Sequence, residues 1–221
     1  MNKKQLSIMP SLLASDFSQG SVSLEQVSQS GCDYVHLDVM DGSFVPEITF
    51  GPKFISDLRA KSDLIFDTHL MIHQPENMIP AFLKAGSNII TVHQEATDHL
   101  YRCLDMIKEG GADCGVAINP GTSVSSIEAV LDYVDYILVM TVNPGWGGQK
   151  FIENTVKKIK ELDDRRKDEG YSYRIAVDGG INKQTVHTVY EAGADLAVMG
   201  TAFFREQNKE AFINEILESL V

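Results

Sequence analysis

His36, Asp38, His69 and Asp178 are the residues of this chain whose types and placement could carry chemistry. The first two lie in HLDVMDG, residues 36–42, where an apolar-alternating run turns charged. In a strand, His36, Asp38 and Met40 would share one face and Val35, Leu37 and Val39 the other. Burying an imidazole and a carboxylate together is costly unless something pairs with both. A metal ion is one such partner and a hydrogen-bonded core pair is the other. HLDVMDG by itself leaves both open.

Two imidazoles and two carboxylates would suit Zn²⁺, Fe²⁺, Mn²⁺ or Co²⁺ better than Ca²⁺ or Mg²⁺. The remaining histidines, His73, His93, His99 and His187, are read as structural or surface residues, with His93 in TVHQEA falling near the same mouth. Glycine clusters form a second group: NPGWGGQ (143–149), DGG (178–180) and MGT (199–201). Each alone is an ordinary turn. Together, at adjacent strand ends, they would make a phosphate cradle, because glycine lets backbone N–H groups approach an anion closely. Met40, Met71 and Met140 form a third group, either core filler or an apolar ceiling over a reactive intermediate.

These residues need elements to position them. Apolar runs recur at LSIMPSLLA (6–14), YVHLDV (34–39), LIFDTHLMI (64–72), IITVHQ (89–94), CGVAIN (114–119), YILVMTV (136–142), RIAVDG (174–179) and DLAVMG (195–200). Helix-like segments lie between them, among them ENMIPAFLKAG (76–86) and FIENTVKKIKELDDRRKDEG (151–170), the latter stopped by glycine. This alternation predicts a (β/α)₈ TIM barrel over 1–221 as a single domain, with a doubly wound open sheet as the alternative. A barrel places its chemistry at the C-terminal strand ends. His36 and Asp38, Asp67 and His69, Asn119 and Asp178 all fall late in their runs.

The formal charge of −12 argues against non-specific binding to nucleic acid or an anionic membrane. Cys32, Cys103 and Cys114 are odd in number and lack CxxC spacing, so no disulfide framework is expected. Pro10 interrupts the apolar run after Lys3 and Lys4, which fits a first strand rather than a leader. No stretch approaches the roughly 20 apolar residues of a membrane span. A cytoplasmic address is expected.

PSLLASD, HLDVMDGSFVPEITFGP, DTHLM, VAINPGT, VMTVNPGWGGQKFI, VDGGIN and GTAFF, in this order, resemble the ribulose-phosphate 3-epimerase family from about Pro10 to Phe204. The resemblance implies a (β/α)₈ barrel and one divalent metal ion, Zn²⁺ before Fe²⁺, Mn²⁺ or Co²⁺, held by His36, Asp38, His69 and Asp178. It also implies that Ser11 and His69 contact substrate. Gly145, Trp146, Gly147, Gly148, Gly179, Gly180, Gly200 and Thr201 would surround the phosphate, and Met40, Met71 and Met140 would roof the site. The expected partner is a small phosphorylated ketose, and a homo-oligomer is expected. Ser43 and Glu47 depart from the family pattern, which has His and Asn there. Neither is an implied ligand or proton carrier, so the departures bear on substrate preference or subunit contact.

The implied reaction inverts carbon 3 of a ketose phosphate, D-ribulose 5-phosphate to D-xylulose 5-phosphate. Inversion beside a ketone needs acid–base groups on opposite faces of a flat enediolate, and Asp38 and Asp178 would serve as that pair. A six-carbon substrate such as D-allulose 6-phosphate is the alternative. A silent sugar-phosphate-binding barrel is a further one, disfavoured because binding alone would not require two opposed carboxylates. Related decarboxylases and aldol-type lyases resemble D-x-K-x-x-D at the second strand end, where this chain reads HLDVMD without lysine.

Overall fold

The computed structural model describes residues 6–220, so Lys3, Lys4 and the outermost residues of the expected 1–221 domain lie outside the described residues. Eight strands form one parallel sheet: β1 (Ser7–Pro10), β2 (Tyr34–Met40), β3 (Ile65–Met71), β4 (Ile89–His93), β5 (Asp113–Ile118), β6 (Tyr136–Met140), β7 (Arg174–Asp178) and β8 (Leu196–Met199). Their order runs β1-β8-β7-β6-β5-β4-β3-β2, and a parallel bridge from Ser11 to His36 links the two ends of that order. A doubly wound sheet would reverse its order part-way. This sheet follows the chain around and nearly closes into a barrel.

The helices are α1 (Gly20–Gln29), α2 (Pro52–Arg59), α3 (Ile79–Ala85), α4 (Leu100–Glu109), α5 (Val156–Glu169), α6 (Val186–Ala192), α7 (Thr201–Phe204) and α8 (Lys209–Ser219). Between β5 and β6 the connection is a 3₁₀ helix, Val124–Val130. Two of the expected helices start later than their sequence suggests. In 151–170, Ile152 donates its N–H to the Thr141 carbonyl at 2.8 Å, and a 3₁₀ turn at Glu153–Thr155 precedes α5. The expected stop is in place, since Gly170 takes the left-handed conformation (φ 74°). In 76–86, Pro80 has no N–H to give and fits the first turn of α3, after a 3₁₀ turn at Pro75–Asn77. The first run likewise divides, into β1 and a 3₁₀ turn at Leu12–Ala14.

Strand alternation separates two apolar sets. Val35, Leu37 and Val39, Ile90 and Val92, Ile137 and Val139, and Ile175 and Val177 face outward and pack with helix residues such as Phe82, Leu104, Ile159 and Val189. Met9, Ile89, Ala117, Leu138, Met140, Ala176, Leu196 and Val198 fill the barrel interior. Each Val, Leu, Ile or Met among them, taken fully out of water, contributes on the order of 1.5–3 kcal/mol. The inward positions of β2 and β3 break the apolar rule, for they carry His36, Asp38, Asp67 and His69. No helix among the described residues is long and apolar enough to cross a membrane. Cys32, Cys103 and Cys114 are buried and free.

Candidate active site

The register of β2 on β3 builds the site in layers. His36 pairs with Asp67, Asp38 with His69, and Met40 with Met71. His36 therefore lies mid-strand rather than at a strand end, two layers below the mouth. Asp178 closes β7 and stands beside Met140 of β6. His36, Asp38, His69 and Asp178 each offer one ligand atom, and those atoms lie within 4.8 Å of one another. The expected metal set is thus brought together.

Hydrogen bonds orient the first three of these residues. Asp67 takes the His36 Nδ1 contact at 2.7 Å, which turns His36 Nε2 into the cluster, 3.2 Å from Asp38 Oδ1 and 3.9 Å from Asp178 Oδ2. His69 Nδ1 lies 3.3 Å from Asp38 Oδ1 and 3.8 Å from Asp178 Oδ2. The Ser11 hydroxyl donates to Asp38 Oδ2 at 2.5 Å and also accepts the Leu13 N–H at 3.2 Å, so the turn after β1 holds the carboxylate. His36 Nε2 is buried and has no hydrogen-bond partner. A buried nitrogen left bare between two carboxylates is the position a cation would fill. The donor set fits a borderline divalent ion.

The protein's own groups set the two aspartates apart. Burial opposes charge on Asp38, yet the His36 imidazole outweighs it and holds the carboxyl well below the usual carboxylate range. Burial and then the neighbouring Asp38 charge push Asp178 up to about 7. For His36, burial is outweighed by Asp38 and Asp67, and its proton affinity rises. Burial lowers that of His69.

Above the cluster opens a cavity of about 450 Å³. Ser11, Asp38, Met40, Met71, Met140 and Asp178 line its floor, while Gly145, Trp146, Gly147, Gly148, Gly179, Gly180, Gly200 and Thr201 form its rim. Gly180 has φ 69°, and a Cβ there would stand 2.6 Å from the Phe151 nitrogen, so this turn admits only glycine without rearrangement. Met40, Met71 and Met140 are buried, and Met40 and Met71 pack with Val45 and Phe44 into a small apolar cluster. Ser43 and Glu47 are exposed on the loop after β2 and line no part of the cavity.

Sequence reading assigns no site role to several residues near the cluster and cavity, although it places Asp67 late in its run and His93 near the mouth. Asp67 and His93 are buried against the metal set, and Lys183 and Arg205 reach the cavity wall, which Lys150 does not. For Asp67 a signal existed: it shares the inward parity of His69 in DTHLM. Arg205 lies one residue past the short α7 and carried no such pattern.

Fold and site together define a single (β/α)₈ barrel with a buried His/Asp cluster able to hold a metal ion beneath a glycine-rimmed cavity. More narrowly, the chain belongs to the ribulose-phosphate 3 epimerase family, whose model matches residues 7–204. It is 46% identical over 212 residues to ribulose-phosphate 3-epimerase of Bacillus subtilis, covering 96% of this chain and 98% of that protein. It is 47% identical to the chloroplastic ribulose-5-phosphate-3-epimerase of Arabidopsis thaliana, covering 92% of this chain and 73% of that one. Among solved structures, 3-hexulose-6-phosphate synthase from Salmonella typhimurium superposes with a TM-score of 0.72 at 19% identity, covering 97% and 98% of the two chains. A 3-keto-L-gulonate-6-phosphate decarboxylase from Vibrio cholerae gives 0.72 at 15%, covering 98% and 99%. Those two speak for the barrel alone. The resemblance read from the motifs is borne out, and the protein is an enzyme of the isomerase class.

Proposed function

We propose that this enzyme interconverts D-ribulose 5-phosphate and D-xylulose 5-phosphate by proton transfer at carbon 3. The observation that carries the reading is the convergence of Asp38 and Asp178 from β2 and β7, separated around the barrel by β1 and β8. One carboxylate takes the proton from one face of the carbon, and the other returns a proton to the opposite face. Ser11 keeps Asp38 aimed, and the β7 end carries Asp178. Met40, Met71 and Met140 exclude water from the enediolate, which protects it from unselective protonation.

His36, Asp38, His69 and Asp178 would hold one divalent ion, Zn²⁺ first among the candidates. When bound, the ion supplies Lewis-acid stabilisation of negative charge developing on substrate oxygens. The phosphate lies at the glycine rim, where Gly148, Gly180, Gly200 and Thr201 present backbone N–H groups, with Arg205 and Lys183 on the same wall. The names of the Bacillus and Arabidopsis relatives favour the five-carbon substrate over D-allulose 6-phosphate. A homo-oligomer and a cytoplasmic address complete the reading.

The test is a panel of ketose phosphates incubated with the metal-loaded enzyme in deuterated water and followed by NMR. The expected result is a 3-epimer of ribulose 5-phosphate carrying solvent deuterium at carbon 3. Faster turnover of the six-carbon ketose phosphate would reassign the substrate. Binding without label exchange would leave a silent barrel.

A further inference from the structure

Behind His69, on the side away from the cavity, runs a chain of polar groups that the proton chemistry does not use. His69 Nε2 lies 2.7 Å from His93 Nε2, and the two rings stack with centroids 4.9 Å apart. His93 Nδ1 lies 3.3 Å from Glu95 Oε2. The other Glu95 oxygen accepts the Asn119 N–H at 2.8 Å and the Thr122 hydroxyl. Lys158 of α5 donates to the carbonyls of Asn119 and Pro120 at 2.7 and 2.8 Å, which pins the β5 end that holds Glu95. Both histidines are fully buried.

Two ring nitrogens at 2.7 Å share a single proton, because one must donate and the other accept. Which one donates is decided at the far end of the chain. An ionised carboxylate only accepts, and two donors already hold Glu95 in that form, so His93 Nδ1 carries the ring proton. A neutral imidazole has one N–H, and with that proton held on Nδ1 against Glu95 the buried ring leaves its Nε2 bare. That bare nitrogen accepts, so His69 carries its proton on Nε2. The His69 Nδ1 lone pair then faces Asp38 and Asp178. Asp67 does the same for His36 in one step, holding the proton on Nδ1 and freeing Nε2.

We propose that Glu95 and His93 form a positioning pair that fixes the tautomer of His69, presenting its Nδ1 to a divalent cation while Asp67 presents Nε2 of His36. The pair touches neither cation nor substrate, and its role rests on the metal reading of the cluster given above. Groups that hold a ligand histidine through its other ring nitrogen commonly tune metal affinity by roughly 10–100-fold.

Glu95→Gln tests the pair with little change of shape. The new side-chain oxygen keeps the Asn119 and Thr122 donors, and the amide NH₂ meets His93 Nδ1. His93 must then accept at Nδ1 and carry its proton on Nε2, which drives the His69 proton onto Nδ1, where the cation would bind. Zn²⁺ titration is expected to show roughly 10–100-fold weaker binding by the variant. In the Zn²⁺-loaded wild type, ¹⁵N NMR of the rings is expected to show protons on His93 Nδ1 and His69 Nε2. Unchanged Zn²⁺ affinity in a folded variant overturns the proposal, as does a proton on His93 Nε2 in the wild type. The wild-type spectrum decides the matter even where the variant does not fold. A wild type that binds no Zn²⁺, Fe²⁺, Mn²⁺ or Co²⁺ overturns the metal reading itself, a result distinct from either.

Discussion

At the N-terminal end of the barrel, Arg174 points among Tyr34 and Tyr136, whose hydroxyls accept from its Nη1 at 2.8 and 2.9 Å. At the C-terminal end of the same interior, His36, Asp38, His69 and Asp178 crowd together, and His36 Nε2 meets no hydrogen-bond partner. Both ends set polar groups against the same apolar interior. The floor closes on itself: a cation meets two phenols and sits beside their ring faces, at 5.5 and 5.4 Å from the centroids. The mouth does not close, because two carboxylates face two imidazoles with one nitrogen left over. A buried polar group that is satisfied holds a fold together, and one left bare between two carboxylates is where a cation would sit.

The largest effect that sharpens this contrast comes from removing the two imidazoles. A His36→Ala, His69→Ala double variant should lose stoichiometric binding of divalent metal, measured by elemental analysis after dialysis. Full occupancy in that variant would place the ion elsewhere. Metal binding should also respond to pH. Asp178, pushed up to about 7, and His36, raised by Asp38 and Asp67, hold protons that a cation must displace. Affinity should therefore fall as pH drops through about 7, with release of about one proton or more per ion. Titration calorimetry in buffers of different ionisation enthalpy reads that release. A pH-independent affinity between 5.5 and 8 (the range of the assay, roughly one to two units either side of neutrality) would contradict it. The smallest effect lies at the floor. Tyr136→Phe removes one acceptor from Arg174 and should cost about 1 kcal/mol of stability in denaturant unfolding, with kcat/KM unchanged. A large loss of activity there would erase the distinction between the two ends.

Local geometry explains what could be read without a structure. Alternation in HLDVMDG put His36, Asp38 and Met40 on one inward face because side-chain parity in a strand depends on the strand alone. The same parity placed His69 and Met71. The barrel followed from eight runs and their spacing, although the starts of α3 and α5 did not, since Pro80 and the bond from Ile152 to Thr141 delay them. The positioning pair was illegible for a different reason. His93 meets His69 because β4 pairs with β3 so that Thr91 lies opposite His69, which carries His93 one step above it. Register between strands is a tertiary property, and TVHQEA carries no mark of it. Glu95 becomes meaningful only through Asn119 and Thr122 on the next strand end.

The central claim is that the bare end of the barrel is a two-carboxylate proton-transfer site, with one aspartate for each face of the substrate carbon. Asp178→Asn tests it most directly, assayed after metal content is shown equal to wild type, for both epimerisation and deuterium uptake from solvent. The account predicts a loss of epimerisation of about 10²–10⁴-fold, with any residual label exchange confined to the face served by Asp38. Near-normal epimerisation by the metal-loaded variant would contradict it.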